Sequence, residues 1–328
     1  MKITRRMILA AGMMTALTGS FGMAMAQDKV ELSFSAVFSQ QDIRAEMMTK
    51  FAEAVGDDIA FNGYYGGTLF KQGTELVALQ RGNLDMGNIA PQDIANQLPQ
   101  WSALTSAYLF RDADHLRAFF ASEVGKEMTQ LVEDELSVKV LGPTYFGARQ
   151  VGLNLDKEIK TPADMSGIKL RMPGGEAWQF LGSALGANPV PVAYAEVYTS
   201  LQTGAIDGQD NPLPNVQNMK FYEVMKQIVL TSHLVGYDLL TISLSTWNKL
   251  SPEQQEKVQS AADAAIAWST EQHLKGESEL VAFFEKQGLK IYKPDLDAFR
   301  TFAQDKYLNS DLAKEWPEGI VDRINAIQ

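Results

Sequence analysis

The sequence predicts an α/β protein of about two domains, and three observations carry that expectation. Strand-like and helix-like patterns alternate as β-α-β-α-β through residues 30–88. The segment Leu79-Gln80-Arg81-Gly82-Asn83-Leu84-Asp85 is echoed by Leu201-Gln202-Thr203-Gly204-Ala205-Ile206-Asp207. A helix-forming run of 36 residues, Pro252 to Gln287, contains no proline after its first position. The length, 328 residues, agrees at roughly 150 residues per domain.

The elements follow in order. Val30 to Phe38 alternates and reads as a first strand. Asp42 to about Val55 has helical spacing, with Gly56 as its stop. Ile59 to Tyr65 reads as a second strand, Thr74 to Arg81 as a helix ending at Gly82, and Asn83 to Asn88 as a short strand. This order predicts a parallel sheet covered by helices. Residues 113–134 are again helical in pattern, and Val138 to Gly142 is strand-like. Thr161-Pro162-Ala163-Asp164 is a helix start, with a Thr cap and Pro at the first position. Ile168 to Met172 is a strand broken by Pro173-Gly174-Gly175. Glu176 to about Leu185 and Ala195 to Thr203 are helices, and Ala205 to Asp207 is a short strand. The echo is the trace that two similar lobes facing a shared crevice would leave; a commonplace helix-glycine-strand unit would leave the same one. Ser251-Pro252-Glu253-Gln254 opens the long run with a capping box. At about 1.5 Å per residue this helix would reach 54 Å, long enough to brace two lobes, unless Gly276 divides it in two.

Composition removes several classes of function. Hydrophobic residues make up 45% and charged residues 21%, so a large core can form without staples. With 29 Lys and Arg against 40 Asp and Glu the net charge is -11, the wrong sign for a nucleic-acid footprint. The absence of Cys excludes thiolate nucleophiles, zinc–thiolate sites, iron–sulfur clusters and disulfides. Three dispersed His residues argue against a His-rich metal site. No P-loop, dinucleotide glycine fingerprint, G-x-S-x-G, H-E-x-x-H or EF-hand loop is present. No cofactor, metal or catalytic residue is expected.

The N-terminus has a basic start, an apolar run from Met7 and the small-x-small ending Ala24-Met25-Ala26. That describes a signal peptide cleaved after Ala26, rather than a retained anchor, whose apolar span would need about 20 strongly apolar residues. Arg5-Arg6 leaves both general and twin-arginine export open. Lys2, Arg5 and Arg6 leave with that segment, taking the net charge from -11 to -14. So acidic a protein repels anions at long range, and any anion site must be built from local cations.

Four residues are candidates for such a site. Arg171 ends a short strand in which Leu170 and Met172 point to one face and Arg171 to the other. A guanidinium there can grip a carboxylate with two parallel hydrogen bonds, next to the free N–H groups of the following helix. The alternative is an ordinary solvated arginine. Asn211 precedes Pro212 and is held extended, either to aim its amide or as part of a turn. Arg149 stands near the join of the two units, for a ligand or for a salt bridge. Tyr194 opens a helix, for stacking or for the core.

The stretch from Arg149 through Thr161-Pro162-Ala163-Asp164-Met165-Ser166-Gly167-Ile168-Lys169-Leu170-Arg171-Met172-Pro173 resembles the solute-binding proteins of TRAP transporters. So do Ala187-Asn188-Pro189-Val190-Pro191-Val192-Ala193-Tyr194-Ala195-Glu196-Val197-Tyr198, the run Leu201 to Pro212, and Ser245 to Ser251 ahead of the long helix. The resemblance implies a two-lobed periplasmic-binding-protein fold, each lobe a mixed sheet flanked by helices, with a long helix spanning both. It implies lobes of 27–149 plus about 237–276, and 150–236 plus about 277–328. It implies a monomeric, non-catalytic periplasmic protein that closes over a small organic acid and delivers it to membrane permease subunits. Arg171 falls on the family's selectivity arginine, Asn211 on an asparagine that bonds the same ligand, Arg149 on a second arginine and Tyr194 on an aromatic contact. A C4-dicarboxylate is favoured, with a sugar acid close behind; an exported enzyme and a receptor-coupled sensor are the competing classes. The loop Val37-Phe38-Ser39-Gln40-Gln41 lacks the prolines common in the family, and Val55-Gly56-Asp57-Asp58-Ile59 is short, so the contacts to the ligand's far end are left undefined.

Overall fold

The computed structural model describes residues 29–328; the expected signal segment, residues 1–26, lies outside them. Among the described residues nine strands form one sheet: β1 (Val30–Ser35), β2 (Ile59–Tyr64), β3 (Met86–Ile89), β4 (Val138–Leu153), β5 (Lys169–Met172), β6 (Asn188–Pro191), β7 (Gly208–Pro212), β8 (Gln227–Ser243) and β9 (Lys290–Tyr292). Their order is β2-β1-β3-β8-β4-β7-β5-β6, with β9 beside β8.

The sheet is two lobes joined by two shared strands. In the first lobe β1 lies parallel between β2 and β3. In the second, β5 lies parallel between β6 and β7. β4 and β8 run antiparallel to each other along most of their length and belong to both lobes. β3 pairs with the end of β8, and β7 with the end of β4. The predicted parallel units are therefore present, but antiparallel long strands tie them together. Register shifts fall at Val140/Gly142, Tyr145/Gly147 and Arg149/Val151, where bulges bend β4 between the lobes. Gly147 sits there at φ 113°, and a Cβ on it would lie 2.9 Å from the Glu277 carboxylate and 3.0 Å from Pro212. The left-handed backbone and the crowding both require glycine.

The internal echo is structural. Gly82 and Gly204 both take left-handed backbone, at φ 68° and 73°. Leu84 and Ile206 are both buried beneath them. Asp85 then accepts from the Ser33 amide at 2.9 Å, and Asp207 from the Lys169 amide at 2.8 Å. Each aspartate ties its segment to the neighbouring central strand.

The long helix runs unbroken from Pro252 to Lys286, 35 residues, with the Ser251/Gln254 capping box in place. At 1.5 Å per residue it is about 52 Å long. Its first half buries Val258, Ala261, Ala262 and Ala265 against the helix Ile43–Val55 and β1. Its last turns bury Leu280 and Phe284 with Val197, Leu201 and Phe221 of the second lobe. Between these two stretches, Glu277 accepts from the Ala148 amide (2.8 Å) and the Tyr145 hydroxyl (2.7 Å), holding β4 at its bulge.

Several expectations change. The short strand expected at Ala205–Asp207 lies at Gly208–Pro212, and that expected at Asn83–Asn88 lies at Met86–Ile89, because the residues after each glycine first complete the turn. The Thr161 cap opens only a short 3-10 turn, Pro162–Met165. The strand begun at Val138 runs on to Leu153. β6, β8, β9 and the helix Leu296–Leu308 were not foreseen. The final segment returns to the first lobe: Ile320 and Ile324 bury among Trp101, Leu104 and Leu116, and Arg111 donates to the Ile327 carbonyl at 2.6 Å.

Candidate functional site

Between the lobes lies a small cavity lined by residues of both. Arg149, Arg171, Tyr194 and Asn211 all face it, so the structure brings the four sequence candidates together. The cavity also takes residues the sequence did not single out, chiefly Arg44, Gln72, Glu75, Asp93, Trp178 and Asp238.

Arg171 is 1% exposed. Its position on β5 follows the expected alternation: Leu170 and Met172 enter the apolar core of the second lobe, and Arg171 faces the other way. Its Nε donates to the Val192 carbonyl (2.8 Å) and one terminal nitrogen to Gln72 Oε1 (3.2 Å). No carboxylate pairs with it among the described residues. Burial, with the nearby Arg149 charge and against the pull of Asp210, pushes its pKa down to about 10. A guanidinium in that state is stabilised by any anion brought into contact.

The other two buried arginines are already neutralised. Arg149, on β4, grips Asp210 through Nε (2.6 Å) and Nη2 (3.0 Å) and lies over the Trp178 ring at 4.8 Å. His233 faces the same carboxylate, Nε2 to Oδ2 3.2 Å. Burial raises the Asp210 pKa, but the Arg149 charge and the bonds from His233 and Arg149 outweigh it and hold the carboxyl ionised far below its usual range. Burial lowers His233 despite that neighbour, so the imidazole is neutral at physiological pH. The salt-bridge reading of Arg149 is thus realised, while the same side chain still borders the cavity. Arg44 is held by Asp42 (2.9 Å) and Asp238 (2.8 Å) and sits near Phe38 and Phe146, 4.4 and 4.1 Å from the ring centres. A basic residue in the first turn of a helix opposes the helix dipole, and that mismatch at Asp42-Ile43-Arg44 was the signal that could have found it.

Asn211 lies inside β7 rather than in a turn, its amide donating to Gln209 Oε1 at 2.6 Å. Tyr194 packs edge-on against Phe221, accepts from Asn215 Nδ2 (2.9 Å) and has its pKa pushed up to about 12 by burial. It is therefore both a core residue and part of the lining. Asn215 Oδ1 is buried there with no partner. Across the cavity the first lobe presents acid. Burial lifts Glu75 to about 7; burial, then Glu75 and Asp238, lift Asp93 to about 7. One side of the cavity thus offers an uncommitted cation and the other hydrogen-bond acceptors.

Comparison with known proteins agrees with this arrangement. Residues 34–312 match the family model for bacterial extracellular solute-binding proteins, family 7. The sialic acid-binding periplasmic protein SiaP of Vibrio cholerae is 34% identical over 236 residues, 72% of this chain and 73% of its own. A TRAP periplasmic solute-binding protein of Roseobacter denitrificans, solved with bound 3-deoxy-D-manno-oct-2-ulosonic acid, is 46% identical. That match covers 92% of this chain and all of the other, with a TM-score of 0.90. A second protein of that organism, solved with L-galactonate, is 28% identical over 91% of this chain and 98% of its own, with a TM-score of 0.82. No helix among the described residues is long and apolar enough to cross a membrane. With its paired α/β lobes, bridging helix and inter-lobe cavity, the chain belongs to the family 7 extracellular solute-binding proteins, the solute-binding proteins of TRAP transporters.

Proposed function

We propose that this protein is exported, loses residues 1–26 after Ala26, and acts in the periplasm as the monomeric receptor of a TRAP-type transporter. It captures a small organic acid, closes over it and hands it to membrane permease subunits, without catalysis. The observation that carries this reading is the buried Arg171 guanidinium with no carboxylate partner, facing a cavity between two lobes. The ligand's carboxylate completes it, Asn211 orients that carboxylate, Arg149 meets a neighbouring oxygen, and Tyr194 forms the wall. The lobes hinge where β4 and β8 cross, near residues 149 and 236, and along the long helix near 276. The segment beyond about residue 311 moves with the first lobe, not with the second to which the sequence division assigns it.

Two ligand classes satisfy Arg171. A C4-dicarboxylate, favoured from the sequence, needs a second available cation, yet Arg149 and Arg44 are bound to carboxylates. Its second carboxylate would also meet Glu75, Asp93 and Asp238. A sugar acid, with one carboxylate and several hydroxyl donors, suits one free guanidinium opposite a row of acceptors. The acids bound by the Roseobacter relatives support the same choice. A thermal-shift screen of mature, refolded protein against dicarboxylates, uronates, aldonates and ulosonates tests it. An acid at 100 times its Kd stabilises by about 2.7 kcal/mol. Shifts confined to sugar acids are expected; shifts confined to dicarboxylates would overturn the ligand class, and a blank panel the carboxylate reading itself.

A further inference from the structure

The helix Glu176–Ala184 of the second lobe begins five residues after Arg171, and its N-cap position is Gly175, which has no side chain to cap it. The missing cap comes from the other lobe. Asn96, at the end of the short helix Pro91–Ala95 that follows β3, places its Oδ1 3.1 Å from the Glu176 amide and 3.3 Å from the Ala177 amide. Gly175 stands at φ 100°, and a Cβ on it would lie 2.4 Å from Asn96 Nδ2, so the glycine also makes room for the visiting side chain. Asn96 is exposed and its side chain makes no hydrogen bond within its own lobe among the described residues. The contact joins one lobe to the other.

We propose that Asn96 is a closure-positioning residue: it caps the second lobe's helix in trans and favours the closed form without touching the ligand. Opening leaves the first amides of that helix to water, and closing satisfies them with an oxygen at the positive end of the helix dipole. The strand end bearing Arg171 and the turn gripped by Asn96 are one continuous segment, 171–177, so ligand and cap hold it from two sides. Gln72 crosses the same gap, its Oε1 accepting from Arg171 and from the Tyr194 amide at 2.8 Å, but it lines the cavity and touches a binding residue. Asn96 lies outside the cavity lining, which makes its effect separable from ligand contact.

The inference rests on the closure reading above, and the test distinguishes the two. Because the chain has no Cys, Glu53→Cys on the first lobe and Gln202→Cys on the second can be spin-labelled selectively. Inter-lobe distances are then measured without ligand and with 10 mM 3-deoxy-D-manno-oct-2-ulosonic acid. In whichever condition populates the short distance, Asn96→Ala lowers the closed-to-open ratio about three- to tenfold, the effect of losing a shared hydrogen-bond acceptor. Asn96→Asp, which still accepts from both amides, restores the ratio. Where the long distance dominates without ligand, the ligand-free melting temperature stays unchanged in both variants, since the open lobe never uses the residue. Equal closure in wild type and Asn96→Ala overturns the cap alone. A single invariant distance in every sample overturns both the cap and lobe closure.

Discussion

The two lobes are built on one plan and charged differently. β2-β1-β3 and β6-β5-β7 share strand order and direction, and Asp85 and Asp207 fasten them in the same way. Phe34 pairs with Met86 as Leu170 pairs with Gly208, so Ser35 in the first lobe occupies the place of Arg171 in the second. The first lobe has a buried arginine too, but Arg44 arrives from a helix and is answered by Asp42 and Asp238. Both guanidiniums are almost fully buried, and burial disfavours both charges. The Arg44 pKa nevertheless ends above its ordinary value, because Asp42 and Asp238 outweigh burial, while that of Arg171 ends well below. A buried cation that the fold has neutralised is structure; one left to be neutralised by something else is a candidate binding site.

Exchanging the fates of these arginines is the largest expected effect. Arg171→Ala should cost about 3–5 kcal/mol of affinity for the acid found in the screen, and leave the ligand-free melting temperature equal or higher. Arg44→Ala should do the reverse to stability, lowering it by about 3–5 kcal/mol, because Asp42 and Asp238 are left buried without their partner. Calorimetric titration and thermal unfolding of both variants check this; equal profiles for the two would erase the distinction between the lobes.

A smaller effect concerns the acid side of the cavity. The pKa of Asp93 is raised on folding, to about 7, so its protonated form is favoured in the native state. Its contribution is therefore least unfavourable below about pH 4 and becomes steadily more unfavourable as the pH rises toward 7. Asp93→Asn should reduce the loss of ligand-free stability between pH 4.5 and 7.5 by about 3 kcal/mol. Denaturant titrations at the two pH values measure it, and an unchanged slope would mean that Asp93 is solvated.

The smallest effect is at the first lobe's counterpart of Arg171. Ser35 is fully buried and its hydroxyl has no hydrogen-bond partner. Ser35→Ala should be neutral or stabilising by up to about 1 kcal/mol, with ligand affinity unchanged. A clear loss of affinity would show that the hydroxyl reaches the ligand and that the two strand ends act together.

Much of this was legible along the chain wherever structure is local. The capping box at Ser251 and the proline-free run that follows marked where a long helix starts and how far it can reach, because caps and propensities act within a few residues, while its continuity through Gly276 was left open. The glycine stops and the repeated Leu-Gln-x-Gly motif located two equivalent helix-strand turns for the same reason. Alternation in Lys169-Leu170-Arg171-Met172 told which side chain left the core. β8 escaped, although at 17 residues it is the longest strand: Thr231-Ser232-His233 and Gly236-Tyr237-Asp238 interrupt its apolar pattern. Those polar residues are tolerated there because they meet partners from distant parts of the chain: His233 with Asp210, Asp238 with Arg44 and Asn88.

The sequence by itself determined most of the helices, the central strand of each lobe, the doubled α/β plan, the bridging helix and the four side chains that meet at the cavity. Only the tertiary structure decided which arginine is free. Pairing depends on which carboxylates come within about 3 Å, and Asp210 lies 61 positions from Arg149, Asp238 194 positions from Arg44. It alone decided that the opposite wall is acidic and that a helix in one lobe is capped from the other. Charge neutralisation and capping in trans are set by proximity in space, and proximity across two lobes leaves no trace in local residue order.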